Sequence, residues 1–114
     1  MGLFDYLHCK YPLPVEGANA LEYQTKSTAA QYMDQYEIRA DGTLWHENYD
    51  LRTEEDESAP LGIYQYRDNL RWERDHMTGE VLFYASTGGS KWIEFSAYFL
   101  DGKLREVNQI MPYN

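Results

Sequence analysis

Cysteine occurs once in the 114 residues, at Cys9, so no internal disulfide can brace the fold. Basic residues are scarce as well. Ten Lys and Arg stand against nineteen Asp and Glu, a formal charge of −9 with an isoelectric point near 4.6. A chain that grips nucleic acid needs a basic face, so direct nucleic-acid binding is not expected. No apolar run approaches the ~20 residues of a membrane-spanning helix, and no membrane partner is expected. The three histidines and the cysteine form neither a Cys-x-x-Cys nor a His-x-x-x-His pair, and the adjacent His8-Cys9 has the wrong spacing for a zinc clip. No metal and no cofactor are expected.

A chain of 13.5 kDa buries roughly two-thirds of its unfolded surface, enough for one core, so residues 1–114 read as a single domain. The opening Met1-Gly2-Leu3-Phe4-Asp5-Tyr6 has Tyr6 where a myristoylation signal has Ser or Thr. A secretory pattern, with a basic start and an apolar stretch, is missing too, and a cytoplasmic location is the expectation. Tyr11-Pro12-Leu13-Pro14 holds two of the four prolines and should be extended. With its apolar side chains, the segment 1–20 is expected to pack on the body.

Aromatic residues are plentiful: eleven Tyr, four Phe and three Trp. They suit a pleated surface, because a tyrosine presents an apolar ring and a polar tip. A short strand fits 21–26, and 27–34 has room for at most one short helix. Beyond it the pattern is β. Tyr36, Ile38 and Ala40 alternate with Glu37 and Arg39, Asp41-Gly42 turns the chain, and 44–51 runs back. Strands are expected at 63–66 and 70–76, separated by Arg67-Asp68-Asn69, and at 81–85. In 91–100, Ile93, Phe95, Ala97 and Phe99 share one face. Asp101-Gly102 closes a last hairpin, whose register depends on whether its turn has two residues or three. The fold class is mainly β: an antiparallel meander of about 6–8 strands forming a curled sheet, sandwich or half-open barrel. The expected core is Ile38, Leu44, Val81, Phe83, Ile93, Phe95, Ala97, Phe99, Leu104 and Val107, with Trp92 or Trp72 at its margin.

Charge is unevenly spread. Residues 1–60 hold twelve acids and four bases, residues 61–114 seven and six. The peak, Glu54-Glu55-Asp56-Glu57 with Asp50 before it, cannot sit in a core and reads as an exposed acidic loop over 50–60. Consecutive acids lack the spacing of a calcium loop. No Gly-x-Ser-x-Gly marks a nucleophile, and Thr87-Gly88-Gly89-Ser90 lacks the lysine of a phosphate loop. An enzyme would require the fold to gather His8, Cys9, His46 or His76 beside carboxylates. The candidate binding residues are Asp50, Glu54, Glu55, Asp56 and Glu57, together with Trp45, Trp72 and Arg74. A solvent-facing tryptophan beside an arginine is a recurrent protein-binding anchor.

Met1-Gly2-Leu3-Phe4-Asp5-Tyr6, Cys9-Lys10-Tyr11-Pro12-Leu13-Pro14, Glu22-Tyr23-Gln24-Thr25-Lys26 and Tyr36-Glu37-Ile38-Arg39-Ala40-Asp41-Gly42-Thr43-Leu44 resemble a group of small uncharacterised proteins of tailed bacteriophages and prophages. Gly79-Glu80-Val81-Leu82-Phe83-Tyr84, Trp92-Ile93-Glu94-Phe95 and Phe99-Leu100-Asp101-Gly102-Lys103-Leu104 are similar to the same group. The resemblance implies a phage or prophage accessory gene expressed in a bacterial cytoplasm and carries over no catalytic residue. Joined to the charge, it leads to an expected non-catalytic protein that binds another protein. The expected partner is an unidentified protein; one reading makes it a basic host protein, with the acidic run standing in for nucleic-acid phosphates, and the other leaves the acidity to keep a Tyr-rich β domain soluble. The alternatives are a phage structural or assembly component, which would form homo-oligomers through an open sheet edge, and a minor enzyme with a His/Cys/carboxylate site.

Overall fold

Alternating apolar and polar residues become strands with one buried face. The computed structural model describes residues 4–28 and 33–112, except the side chains of 111 and 112. Its elements are β1 (Asp5–Cys9), a 3-10 turn (Ala18–Ala20), β2 (Tyr23–Thr25), β3 (Gln35–Ile38), β4 (Leu44–Glu55), β5 (Ile63–Arg74), β6 (Gly79–Gly88), β7 (Lys91–Leu100) and β8 (Lys103–Pro112). They form one sheet in the order β5-β4-β3-β1-β2-β6-β7-β8. The mainly β reading holds. Of the span 27–34 expected to hold at most one short helix, 29–32 lie outside the described residues, and 27, 28, 33 and 34 are not helical.

Two antiparallel meanders, β3-β4-β5 and β6-β7-β8, flank the β1–β2 pair. The departure from an all-antiparallel sheet is the β1–β3 pair, which runs parallel from Tyr6↔Gln35 to Cys9↔Ile38. The cause is connectivity. β2 returns antiparallel along one side of β1, and the chain then crosses to the other side before β3 begins, so β3 repeats the direction of β1. Asn19 holds the β1–β2 connection in shape: its side-chain oxygen accepts from the Leu13 amide at 3.0 Å, and its amide donates to the Cys9 and Tyr11 carbonyls at 2.9 and 2.6 Å. The 1–20 segment therefore contributes a central strand, with Leu7 and Cys9 buried in the core.

The core is formed by Leu7, Cys9, Tyr23, Tyr36, Ile38, Leu44, Val81, Phe83, Ala85, Ile93, Phe95, Ala97 and Phe99, with Leu13 and Ala18 closing one side. Leu104 and Val107 pack against it half-buried. Tyr23 meets Phe83 and Phe95 edge-on at 5.0 and 6.0 Å, a geometry that aligns ring edges with ring faces. The two tryptophans expected at the margin are wetter: Trp92 is 41% and Trp72 37% exposed.

The sheet curls until strands far apart in its order touch. Leu44 donates its amide to the Gly102 carbonyl at 2.9 Å, and Leu104 donates to Gly42 at 2.7 Å. Two glycine-bearing turns, 40–42 and 101–102, thus lock one end of an otherwise open sheet. The last hairpin has a two-residue turn, with Asp101 and Gly102 both at positive φ (51° and 72°) and Leu100 opposite Lys103. Extra residues in β8 then shift the register, so Phe95 faces Gln109.

Two local readings are corrected. Residues 50–55 are not loop but the second half of β4, and the turn spans 56–62. Arg67-Asp68-Asn69 does not separate two strands either, because β5 runs unbroken from Ile63 to Arg74. Asn69, at φ 54°, instead marks a bulge where the register shifts between Asn48 and Asp50. Asparagine tolerates that left-handed conformation, which is why the tripeptide looks like a turn.

Two predictions follow from this packing. A Cβ on Gly102 would overlap the Asp75 carbonyl at a backbone φ of +72°, whereas Gly17, at φ +80°, has open space around it. Urea unfolding should show Gly102→Ala losing about 3 kcal/mol or more and Gly17→Ala about 1 kcal/mol. Burial also pushes the Cys9 thiol from 9.0 up to about 11 and the Tyr23 hydroxyl from 10.0 up to about 12. Both groups hold their protons more tightly folded than unfolded. Their contribution is therefore complete below pH 9 and is lost as pH rises toward those raised values, on the order of 2 kcal/mol for each group. Urea midpoints taken from pH 8 to 11.5 should fall, and Cys9→Ala should flatten the first part of the decline.

Candidate functional site

β4 and β5 are each twelve residues long, but β3 pairs only with Leu44, Trp45 and His46. Beyond them the two strands continue as a two-stranded arm, and residues 51–55 are exposed without exception. At about 3.3 Å per residue the unpaired part is on the order of 25–30 Å long, which accounts for the long dimension of a molecule measuring 51 × 35 × 21 Å.

The two faces of the arm differ. Directly opposed residues share a face, and β4 alternates without interruption. One face carries Asp50, Arg52, Glu54, Tyr64, Tyr66, Asp68 and Arg71, and these side chains satisfy one another. Arg52 pairs with Asp68 at 3.0 Å, Asn69 and Arg71 donate to Asp50 at 3.2 and 3.4 Å, and Tyr64 and Tyr66 both donate to Glu54 at 3.0 Å. The Asn69 amide, helped by Arg71, holds Asp50 below the usual carboxylate range, and the bonds to Glu54 push both tyrosines up. The other face carries Leu51, Ile63, Leu70 and Trp72, which are 64, 47, 58 and 37% exposed, interspersed with Glu47, Thr53, Glu55, Gln65 and Arg67. No described part of the chain covers them to the extent it covers the core.

The arm joins the body through one carboxylate. Asp34, just before β3, is 4% exposed at its side chain and receives His46 Nε2 at 2.9 Å, Tyr49 Oη at 3.1 Å and Arg67 Nη2 at 3.2 Å. His46 lies in β4 where the body ends, while Tyr49 and Arg67 belong to the base of the arm. The Arg67 guanidinium also sits 4.3 Å over the Tyr49 ring, and the His46 ring stacks on buried Tyr36 at 4.3 Å. The Asp34 amide donates to Asp5 at 3.0 Å, which extends the network into β1, where Asp5 also accepts from Thr28. Burial pushes the Tyr49 hydroxyl up, and its bond to Asp34 and the Asp34 charge add to the effect.

The structure distributes the expected site residues over three places. Asp50 and Glu54 lie on the polar face of the arm, already engaged. Asp56 caps the turn by accepting from Ser58 at 2.9 and 2.7 Å, and those bonds lower its pKa. Glu55 and Glu57, near the tip, make no hydrogen bond or ion pair among the described residues. Trp72 stands on the apolar face. Trp45 lies under Arg39, 3.8 Å from the ring centroid, and its indole donates to Thr43 at 2.8 Å. Arg74 leans on the Asp101 and Gly102 carbonyls at 3.5 and 3.3 Å, and its Nε is buried without a partner, so it braces the turns rather than facing solvent. Sequence reasoning missed Asp34, Arg67, Leu51, Ile63 and Leu70; the available signal was apolar residues at alternate positions of a polar run.

The residues named for catalysis are not gathered together. His8 pairs with Glu22 at 3.1 Å, His46 with Asp34 and His76 with Asp101 at 3.1 Å, while the buried Cys9 donates to the Tyr11 carbonyl at 3.2 Å. Among the described residues no three His, Cys, Asp or Glu side chains converge on a metal position, and no pocket is found. Compared with protein-family models, curated proteins and solved structures, the chain gives no match in any of the three.

Replacing Asp34 with Asn should cost about 2–4 kcal/mol, because Arg67 and Tyr49 lose a buried anionic acceptor. Amide hydrogen exchange should accelerate first in residues 49–70. An ultraviolet titration should show the Tyr49 hydroxyl returning toward its ordinary value of 10.0 as the neighbouring charge is removed.

Proposed function

We propose that the chain is a phage or prophage accessory protein that acts by holding another protein on the β4–β5 arm, without bond-making chemistry. The supporting observation is that four large apolar side chains, Leu51, Ile63, Leu70 and Trp72, stand exposed on one face of a ribbon that projects past the core, among polar neighbours. A two-stranded ribbon is marginally stable alone, and apolar side chains on it lower the free energy of the molecule only when something covers them. Residues 50–70 carry six carboxylates against two arginines, so the arm attracts a basic partner and speeds its capture. The neighbouring Trp72 is the natural anchor of such an interface. Three of the five carboxylates of the acidic run are engaged within the arm. The reading therefore rests on the apolar face, with charge as the steering force, more than on imitation of a phosphate row.

The test compares proteins captured from bacterial lysate by the wild-type chain and by Leu51→Asp/Leu70→Asp. Both positions are exposed, so the substitutions should shift folding stability by no more than about 1 kcal/mol. Basic proteins retained by the wild type should be lost from the variant. The same capture by both, or none by either, overturns the reading.

A further inference from the structure

An open sheet has two edges, here β5 and β8, and they are not alike. β8 is blunted in the ways that keep an edge from pairing with other chains. Its register against β7 breaks twice, between Glu94 and Phe95 and between Tyr98 and Phe99, and it carries Lys103, Arg105 and Pro112. β5 has one irregularity, the bulge at Asn69, near the base of the arm. Beyond that bulge the ladder is unbroken from Asp50↔Asp68 to Glu55↔Ile63, and residues 63–68 contain no lysine, proline or bulge. The one base there, Arg67, turns its guanidinium back to Asp34.

The outward-facing backbone groups follow from the turn. The Asp56 amide donates to the Gly62 carbonyl, so the pairs Glu54↔Tyr64, Arg52↔Tyr66 and Asp50↔Asp68 are the hydrogen-bonded ones. Ile63 and Gln65 then direct their N–H and C=O groups to the edge. A strand added there would place alternate side chains on the two faces of the arm. On one face it would lie beside Ile63 and Gln65, with Arg67 turned to Asp34. On the other it would lie beside Tyr64, Tyr66 and Asp68, with Glu54 behind them.

We infer that this edge takes an extended segment of the partner as a ninth strand, and that the segment alternates basic and apolar residues. The basic side chains lie over the tyrosine–carboxylate face, and the apolar ones lie beside Ile63 and the uncharged Gln65. The inference rests on the arm being the binding element and adds the mode of binding and the chemistry of the partner.

The test is fluorescence anisotropy with the full chain and labelled eight-residue peptides. One alternates Lys or Arg with Val, a second alternates Glu with Val, and a third is the basic peptide N-methylated at every second residue. The basic peptide should bind, while the acidic and N-methylated ones should bind at least tenfold more weakly. Gln65→Pro removes an outward N–H without breaking a ladder bond to β4 and should weaken the basic peptide at least tenfold, whereas Gln65→Ala should bind within twofold of wild type. The N-methylated peptide uses the unaltered protein, so the result does not depend on the proline variant folding. Equal binding of the methylated and unmethylated peptides, or no binding of the basic one, overturns the inference. Dimers in sedimentation that Gln65→Pro dissolves would also overturn it, since the occupant would then be a second copy. If Gln65→Pro still captures the lysate proteins that Leu51→Asp/Leu70→Asp loses, strand addition fails while binding by the arm stands.

Discussion

The carboxylate of Asp34 decides how the arm meets the body. A buried charge is costly unless donors surround it, and here a histidine, a tyrosine and an arginine converge on the two oxygens of a side chain that is 4% exposed. Two of the three donors come from the base of the arm, so its direction is set by charge-assisted bonds, which demand particular geometry, rather than by apolar packing, which tolerates sliding. Through its own amide the same residue is tied to Asp5 in β1. One polar network thus spans β1, β3, β4 and β5.

On either side of that junction the sheet follows different rules. In the body one face is dry, and Leu7, Tyr23, Tyr36, Phe83, Phe95 and Phe99 interlock there. In the arm both faces are wet. Its polar face achieves by cross-strand pairing what the core achieves by burial, because each carboxylate of Asp50, Glu54 and Asp68 has a donor on the facing strand or beside it. The exposed apolar side chains of the other face, Leu51, Ile63, Leu70 and Trp72, have no such internal solution.

The legible parts of the fold are those where burial acts every second residue. Ile93, Phe95, Ala97 and Phe99 reveal their strand because one side of it must be apolar. Tyr23 and Tyr36 do not, since tyrosine fits a wet face equally well and only the Ala18 carbonyl, 2.7 Å from the Tyr23 hydroxyl, makes that burial tolerable. The buried Asp5 and Asp34 depend on partners distant in the chain, which local pattern cannot supply. The acidic run was legible as exposed but not as strand, because a ribbon wet on both faces imposes no alternation. Parallel pairing of β1 and β3 follows from a crossover that leaves no periodic trace. Of the arm, Trp72 stood out by residue type, whereas single leucines such as Leu51 and Leu70 in polar surroundings are ordinary.

None of the core residues falls between positions 45 and 80. The arm, residues 49–70, is therefore free of the packing that keeps the molecule folded, apart from the few side chains that reach Asp34. Such a layout lets substitutions accumulate at the tip and along the wet faces while the scaffold stays intact. About twenty residues of the arm can differ between variants while the scaffold keeps the same fold.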